Sequence, residues 1–341
     1  MKRYKDYSLL AHNTFGIAAR CKEFVEYETV EELNEVLSQL RLTPGKRFLH
    51  IGAGSNLLFT KDYDGVILHS GILGSEVTDE DNDTVWVRVG AGENWDEFVG
   101  HCVAAGHYGL ENLSLIPGEV GASAVQNIGA YGSEAGRFIH SVETVEVESG
   151  KRCIFGHDEC HYAYRNSIFK GKNHGRYVVT HVTYRLSKHF TPDLSYAGLR
   201  RELENLGLSS ATLSAGQLRD IVINVRRAKL PDPADTGSAG SFFMNPVVPA
   251  AKHIELQREY PTMPAYPLPD GNVKIPAGWL IEQCGWKGRS MGRAGVYDRQ
   301  ALVLVNLGGA TGGEIAALSD AVRRDVRDRF GIEIHPEVNF F

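Results

Sequence analysis

The stretch GSFFMNP at 240–246 holds one serine, Ser241, between a glycine and two phenylalanines. No histidine neighbours it and no G-x-S-x-G turn surrounds it, so the local signature of an activated serine nucleophile is missing. By pattern alone Ser241 reads as a turn serine ahead of a buried Phe pair. Any chemistry asked of it must work without an adjacent base. Two other stretches carry a different potential: IGAGSN at 51–56 and LIPGEVGASAVQNIGAYGSEAG at 115–136 are dense in glycine. Missing Cβ atoms let backbone N–H groups approach a pyrophosphate. One such loop is more often only a turn, whereas two separated loops suit a long dinucleotide such as FAD. The Rossmann fingerprint G-x-G-x-x-G is not met, because Leu57 stands at the third glycine position and GGATGG at 308–313 misses the spacing.

Elements must position these residues. Apolar spacing at Val30, Leu33, Val36, Leu37 and Leu40 predicts a helix capped by Thr29, followed by a short strand, RFLHI, that delivers the first glycine turn. TVWVRV alternates as a strand and ends in a second, similar turn, GAGEN. The helix after it presents Trp95, Phe98, Val99, Cys102 and Val103, with Asn94 and Glu97 as cap and Gly106 as stop. VETVEVES and YVVTHVTYRLS alternate like strands, the second with Val178, Thr180, Val182, Tyr184 and Leu186 on one side. QLRDIVINVRRAK reads as a helix with Leu218, Ile221, Val222 and Val225 inward. From Pro231 to Pro276 the chain carries nine of its 13 prolines, which predicts a domain boundary and irregular ordered loops. A last helix buries Ile315, Leu318, Val322, Val326 and Phe330 and stops at Gly331, and IEIHPEVNFF reads as a terminal strand.

The 341 residues are enough for two or three cores, and the composition, 43% hydrophobic and 23% charged, is that of a globular chain. A net charge of −6 argues against a general nucleic-acid or anionic-membrane binder. The five cysteines form no C-x-x-C, so neither a disulfide framework nor a metal site is expected. With no apolar signal core at the start and no run approaching ~18 apolar residues, the expected location is cytoplasmic.

NTFGI, GAGSNLLF, IPGEVGASAVQNIGAYG, YRNSIFK, KLPDP, AGSFFMNPVV, AGWLIEQCGWKG, ALVLVN and PEV occur in this order nearly from end to end. In these motifs the chain resembles the UDP-N-acetylenolpyruvoylglucosamine reductase (UDP-N-acetylmuramate dehydrogenase) family, in the subtype with an extra tyrosine-bearing substrate loop, here LSYAGL. Met244 departs from it, standing where relatives often carry lysine. The resemblance implies an α+β fold: a two-subdomain FAD-binding region of the vanillyl-alcohol-oxidase type at 1–67 and 68–215, and a substrate-binding domain at 216–331. The strand 332–341 is expected to return to the second subdomain.

It also implies non-covalent FAD, NADPH as hydride donor, the enolpyruvyl ether of UDP-N-acetylglucosamine as substrate, and a monomer with no nucleic-acid or membrane partner. Hydride addition leaves a carbanionic carbon basic enough to take a proton from a neutral alcohol, so Ser241 as acid needs no base beside it. Arg165 is implied as the clamp on the substrate carboxylate and Glu337 as its neighbour on the other side, either donating a hydrogen bond or orienting Arg165. Carried over for the flavin are Gly52, Gly54, Ser55, Asn56, Pro117, Gly118, Gly121, Ala122, Gln126, Asn127, Gly129 and Tyr131. Carried over for the nucleotide are Tyr196, Lys229, Asn245, Tyr266, Lys274, Lys287 and Gln300. Read singly, each lysine is a solvated surface charge, Arg165 a strand-end residue and Glu337 a solvated acid. Two rivals are a flavin oxidase of the same fold and a non-catalytic nucleotide-sugar or flavin-binding regulator. Neither has reason to keep Ser241, Arg165 and Glu337 together.

Overall fold

The computed structural model describes residues 1–43, 45, 47–171 and 173–341. Helices and mostly antiparallel strands mix in an α+β fold that divides into two compact units. The first comprises Met1–Tyr7, Cys21–Ala53 and Asp64–Arg226, and the second Ser8–Arg20, Gly54–Tyr63 and Arg227–Phe341. Among the described residues no helix is long and apolar enough to cross a membrane.

In the first unit, a four-stranded sheet runs in the order Lys2–Ser8, Arg20–Tyr27, Tyr63–Ser70, Phe48–Ile51, the last two strands being parallel. The helix Val30–Arg41 starts where Thr29 accepts the Glu32 N–H, a cap of about 1 kcal/mol, and buries Leu33, Val36 and Leu37 against Val25, Val66 and Leu68. An antiparallel five-stranded sheet follows in the order Arg152–Gly156, Ile139–Glu146, Tyr177–Ser187, Thr84–Gly90, Ser75–Glu80. The helix Trp95–Ala105 packs Trp95, Phe98 and Val99 among Val85, Val87, Val89, Val182 and Tyr184. It is capped by Asn94 and stopped by Gly106 at φ 78°. A satellite cluster joins the helices Ala197–Asn205 and Ala215–Lys229 through Leu199, Leu203, Leu218, Ile221 and Val222.

The strand Tyr177–Ser187 corrects one expectation. Its pairing with Ile139–Glu146 shifts register between Glu143 and Thr144, which skips Thr180. Val178 therefore packs in the cluster under the Val30–Arg41 helix, whereas Val179, Val182, Tyr184 and Leu186 pack around Trp95. The extra residue exchanges the faces of the strand, so one alternating stripe serves two cores.

In the second unit, the antiparallel sheet Gly237–Ser241, Val303–Asn306, Ala294–Val296, Ser290–Met291 lies against the helix Gly312–Phe330. That helix opens in a full Thr311–Glu314 capping box and closes at Gly331, φ 64°. The Pro-rich segment is more regular than expected. It holds the sheet Val247–Pro249, Asn272–Lys274, Tyr266–Pro267 and a ten-residue helix, Ala250–Glu259, which starts immediately after Pro249. Pro249 and Pro276 stand at the N-caps of helices and Pro267 on an outer strand, where the missing N–H costs little. The terminal strand is also shorter than expected. Only Asn339–Phe340 is strand, and its partner is Leu57–Leu58, in parallel, not a strand of 68–215.

NTFGI is the knot of this unit. Buried Asn13 donates to the Leu9 and Ile17 carbonyls at 2.7 and 3.0 Å and accepts the Ile17 N–H at 2.8 Å. Its flanks receive Ser238 N–H on Thr14 O at 2.9 Å and Asn306 Nδ2 on Phe15 O at 2.8 Å. A Cβ on Gly54 would run into the His12 carbonyl, and one on Gly237 into the Phe15 carbonyl.

Candidate functional site

In the first unit the strand Phe48–Ile51 ends at Gly52, beside a second turn, Gly90–Asn94, that clasps the loop 117–121. Trp95 N–H donates to Gly118 O at 3.1 Å, Val120 N–H to Glu93 O at 2.9 Å and Gly121 N–H to Ala91 O at 2.9 Å. A Cβ on Gly121 would stand 2.9 Å from the Ala91 Cβ, so this glycine is needed for the close approach. Over Gly52 lies the carboxyl of Glu119, 3.0 Å from where a Cβ would sit, with Ala122 next to it at 3.8 Å. Pro117, Gly118, Gly121, Ala122 and Gln126 thus form one loop and short helix, Val120–Gln126, next to Gly52.

Four residues other than glycine around this loop hold positive φ: Leu115 at 57°, Asn127 at 49°, Tyr131 at 49° and Arg165 at 53°. Such backbone costs about 1–3 kcal/mol per residue and persists where surroundings over-determine it. Here they do. Asn127 caps the short helix, donates to Glu134 and Ala163 O at 3.0 and 2.9 Å, and accepts the Gly136 N–H at 2.8 Å. Tyr131 and Gly132 turn the small hairpin Gly129–Ala130/Ser133–Glu134, and Asn112 Nδ2 donates to Tyr131 O at 3.0 Å. Arg165 Nη2 donates to Gly129 O at 2.6 Å while the guanidinium stacks 5.2 Å from the Tyr164 ring. A Cβ on Gly129 would stand 2.7 Å from Arg165 Nη1.

The geometry brings Arg165, Asn127, Gly129, Tyr131 and Tyr196 together, the two tyrosine rings meeting edge to face at 5.3 Å. It adds Arg226, which the sequence reading left out. Arg226 bonds the Tyr131 hydroxyl and feels the charge of Arg165, and its Nε is buried with no hydrogen-bond partner. Burial lowers the proton affinity of the Arg226 guanidinium, and Tyr131 and Asp96 act against that. Burial also raises the Tyr131 hydroxyl, with Arg226 pulling the other way. Arg226 stands seven residues after Arg219, two helical turns on the same face, and Arg219 forks onto Asp96 at 2.6 and 3.0 Å. Two arginines at that spacing on a helix otherwise apolar inward are the signal that could have found it.

In the second unit Ser241 ends the strand Gly237–Ser241, exposed, after a register shift that uses Gly240 at φ 65°. Phe242 behind it is fully buried, donating to Leu302 O and accepting the Glu337 N–H, both at 2.8 Å. Met244 N–H reaches His335 O at 2.9 Å, so the 335–337 segment runs beside the serine-bearing chain. Asn56 belongs to the same group: its O accepts Asn339 N–H at 3.1 Å and its Nδ2 approaches Glu337 O at 3.4 Å. Gly54 and Ser55 lead into it, and Gly54 has a packing reason of its own against His12.

Lys274 and Tyr266 are register partners across a strand pair. Asn245 Oδ1 accepts the Ala277 N–H at 2.9 Å, at the first turn of the helix Ala277–Gln283, and Gln300 Oε1 lies 3.0 Å from the Cβ position of Gly278. Lys229 closes the helix Ala215–Lys229. Lys287 pairs with Glu282 at 3.0 Å in an exposed ion pair.

Comparison with known proteins agrees with this picture. Residues 22–155 match the family model described as an FAD binding domain, and residues 232–341 the one described as the C-terminal domain of UDP-N-acetylenolpyruvoylglucosamine reductase. The chain is 56% identical over 334 residues to the UDP-N-acetylenolpyruvoylglucosamine reductase of Bacteroides fragilis, covering 98% of each chain. It is 47% identical over 336 residues to that of Porphyromonas gingivalis, again 98% of each, and 48% identical over 332 residues to that of Burkholderia cenocepacia, 97% of this chain and 95% of the other. The crystal structure of the Thermus caldophilus reductase superposes with a TM-score of 0.67 at 22% identity, over 100% of this chain and 98% of that one, a likeness of fold. The chain belongs to the UDP-N-acetylenolpyruvoylglucosamine reductase family.

Proposed function

We propose that the protein is an FAD-dependent oxidoreductase that uses NADPH to reduce UDP-N-acetylglucosamine enolpyruvate to UDP-N-acetylmuramate, for peptidoglycan precursors, as a cytoplasmic monomer. Near full-length identity of 56% to a reductase of that name is the observation that carries this reading. The residues present fit the cofactor: close-packed glycine turns at Gly52 and Gly121, a backbone held at positive φ around Asn127 and Tyr131, and the buried unpartnered Arg226 Nε, a donor suited to an anion or a ring carbonyl. Gly52, Gly54, Ser55, Asn56, Pro117, Gly118, Gly121, Ala122, Gln126, Asn127, Gly129 and Tyr131 would hold it. Bound FAD supplies hydride transfer, from NADPH to the enolpyruvyl carbon.

The chain's own residues do the rest. Ser241 donates the proton to the carbon next to the carboxylate; its Oγ stands at an exposed strand end whose backbone is fixed by buried Phe242. Arg165, oriented by the Gly129 carbonyl, balances the negative charge that develops on the enolate, where a fixed guanidinium needs no reorganisation. Glu337 orients the carboxylate or Arg165. Tyr196, Lys229, Asn245, Tyr266, Lys274, Lys287 and Gln300 bind the nucleotide. The functional division would follow 1–67, 68–215 and 216–331. The test is a visible spectrum of the purified protein, then NADPH oxidation with and without the enolpyruvyl nucleotide. Nucleotide-dependent turnover is expected. Oxidation at one rate in both cases, with oxygen consumed, identifies an oxidase, and no flavin at all removes the reading.

A further inference from the structure

Glu119 places a carboxyl inside the glycine-rich loop, where the first-unit geometry leaves little room for it. One carboxylate oxygen lies over Gly52, 3.0 Å from its Cβ position, and the other is 2.9 Å from His69 Nε2. His69 is the register partner of Ile51 on the neighbouring parallel strand, one residue before Gly52. Both side chains are largely buried, 14% exposed for His69 and 11% for Glu119. The Glu119 side chain therefore ties the second glycine loop to the first through His69.

We propose that His69 and Glu119 form a positioning pair for the flavin loops, in which the imidazolium neutralises a carboxylate that would otherwise repel the cofactor's diphosphate. It rests on the flavin reading above. No local pattern marks it, because the two residues stand 50 apart. The groups facing His69 support the charge state. Glu26, on the strand Arg20–Tyr27, lies 3.5 Å from Nδ1 and is itself paired with Lys2 on the edge strand at 2.8 Å. His50, on the strand Phe48–Ile51, is 2.8 Å from the Tyr27 hydroxyl, and burial pushes it down to about 3, so it stays neutral. The Phe24 ring stacks on His69 at 5.9 Å. Burial by itself lowers the His69 pKa, but Glu119 and then Glu26 outweigh it and leave it raised. Burial raises the Glu119 carboxyl, against the pull of His69. The raised His69 value favours the imidazolium facing the Glu119 carboxyl. As pH climbs through the raised His69 value the cation is lost, and Glu119 is left as a bare anion beside the loops.

The experiment is FAD titration of the apoprotein by flavin fluorescence, from about pH 7 to about pH 9, with no turnover involved. For the parent the dissociation constant should rise about tenfold over that span, the scale of one unscreened charge contact. Glu119→Gln should bind at least as tightly as the parent at pH 7 and show a flat profile. His69→Asn should bind about tenfold more weakly at pH 7, and adding Glu119→Gln should restore affinity, since removing the anion removes the need for the cation. A merely structural role predicts the reverse for the double variant: further loss, with a lower melting temperature and no recovered affinity. That result overturns the proposal, as does Glu119→Gln with the parent's pH profile. Parent protein that binds no FAD at any pH refutes the flavin reading and the pair together, whereas tight binding with a flat profile refutes only the pair.

Discussion

Replacing Gly129 by alanine tests the Arg165 assignment without touching the arginine. A Cβ at 129 would stand 2.7 Å from Arg165 Nη1, 2.9 Å from Glu134 Cγ and 2.9 Å from Ser133 O. Ordinary contact is about 3.5 Å, so the guanidinium must move by roughly 0.8 Å, because it is the freer neighbour. The move also strains the 2.6 Å bond to Gly129 O. A misplacement approaching 1 Å at a reacting centre costs up to about 10²-fold, which corresponds to about 2.7 kcal/mol. Stopped-flow absorbance separates the half-reactions. Gly129 is also among the flavin-holding residues, so flavin reduction by NADPH should slow to some extent, and reoxidation by the enolpyruvyl nucleotide should slow by clearly more, about 10- to 100-fold. In an Arg165→Ala background the same alanine should add little, because the residue it displaces is gone. Full parental reoxidation in Gly129→Ala refutes the reasoning, and so does an equal loss in both half-reactions.

Ser241→Ala should leave NADPH reduction intact and slow substrate-driven reoxidation by about 10²-fold or more, with Ser241→Cys recovering part of the rate; parental reoxidation in the alanine variant removes Ser241 as proton donor. Lys287→Ala breaks only an exposed pair with Glu282 at 3.0 Å, so urea unfolding should change by less than about 1 kcal/mol while nucleotide affinity falls, and unchanged affinity takes Lys287 out of the site. Asp96 is half-buried: burial acts to raise its carboxyl, and the Arg219 fork outweighs it and holds it below the ordinary 3.8. A depressed folded value gives stability that is present above 3.8 and lost as pH falls below it, so Asp96→Asn should cost about 1 kcal/mol near neutrality and nothing in strong acid; an equal cost at both ends contradicts the pair.

What could be read from the chain was local. Thr29, Asn94 with Gly106, and Gly331 each mark a helix end through bonds made within four residues: Thr29 opens Val30–Arg41, Asn94 and Gly106 bound Trp95–Ala105, and Gly331 closes Gly312–Phe330. What failed depended on distant partners. The face exchange at Thr180 is set by pairing with Glu143 and Thr144, and alternation along one strand cannot reveal it. Prolines from 231 to 276 read as loop because their positions relative to strand edges are fixed only once the strands pair. For the site, motif order named Arg165, Asn127 and Gly129, which the fold brings together, but it left out Arg226 and did not reach the His69–Glu119 contact.

The pairing of Asn339–Phe340 with Leu57–Leu58 has a consequence for how the chain is made. Thr60 N–H bonds the Phe341 carbonyl at 2.7 Å, and the Thr60 hydroxyl meets the same atom across a separation of 281 residues. During synthesis, Leu57 and Leu58 leave the ribosome early and wait, edge unpaired, until nearly the whole polypeptide has followed. Residues 64–226 have every strand of the five-stranded sheet among themselves and can close first. The Leu57–Leu58 edge cannot be paired ahead of residues 339–341, so closing it is a late, high-contact-order event and the exposed edge is a window for misassociation. A fragment beginning at 227 would lack NTFGI, leaving Ser238 N–H and Asn306 Nδ2 without the Thr14 and Phe15 carbonyls that receive them. The matching stretch 232–341 thus depends on residues far upstream for part of its hydrogen bonding.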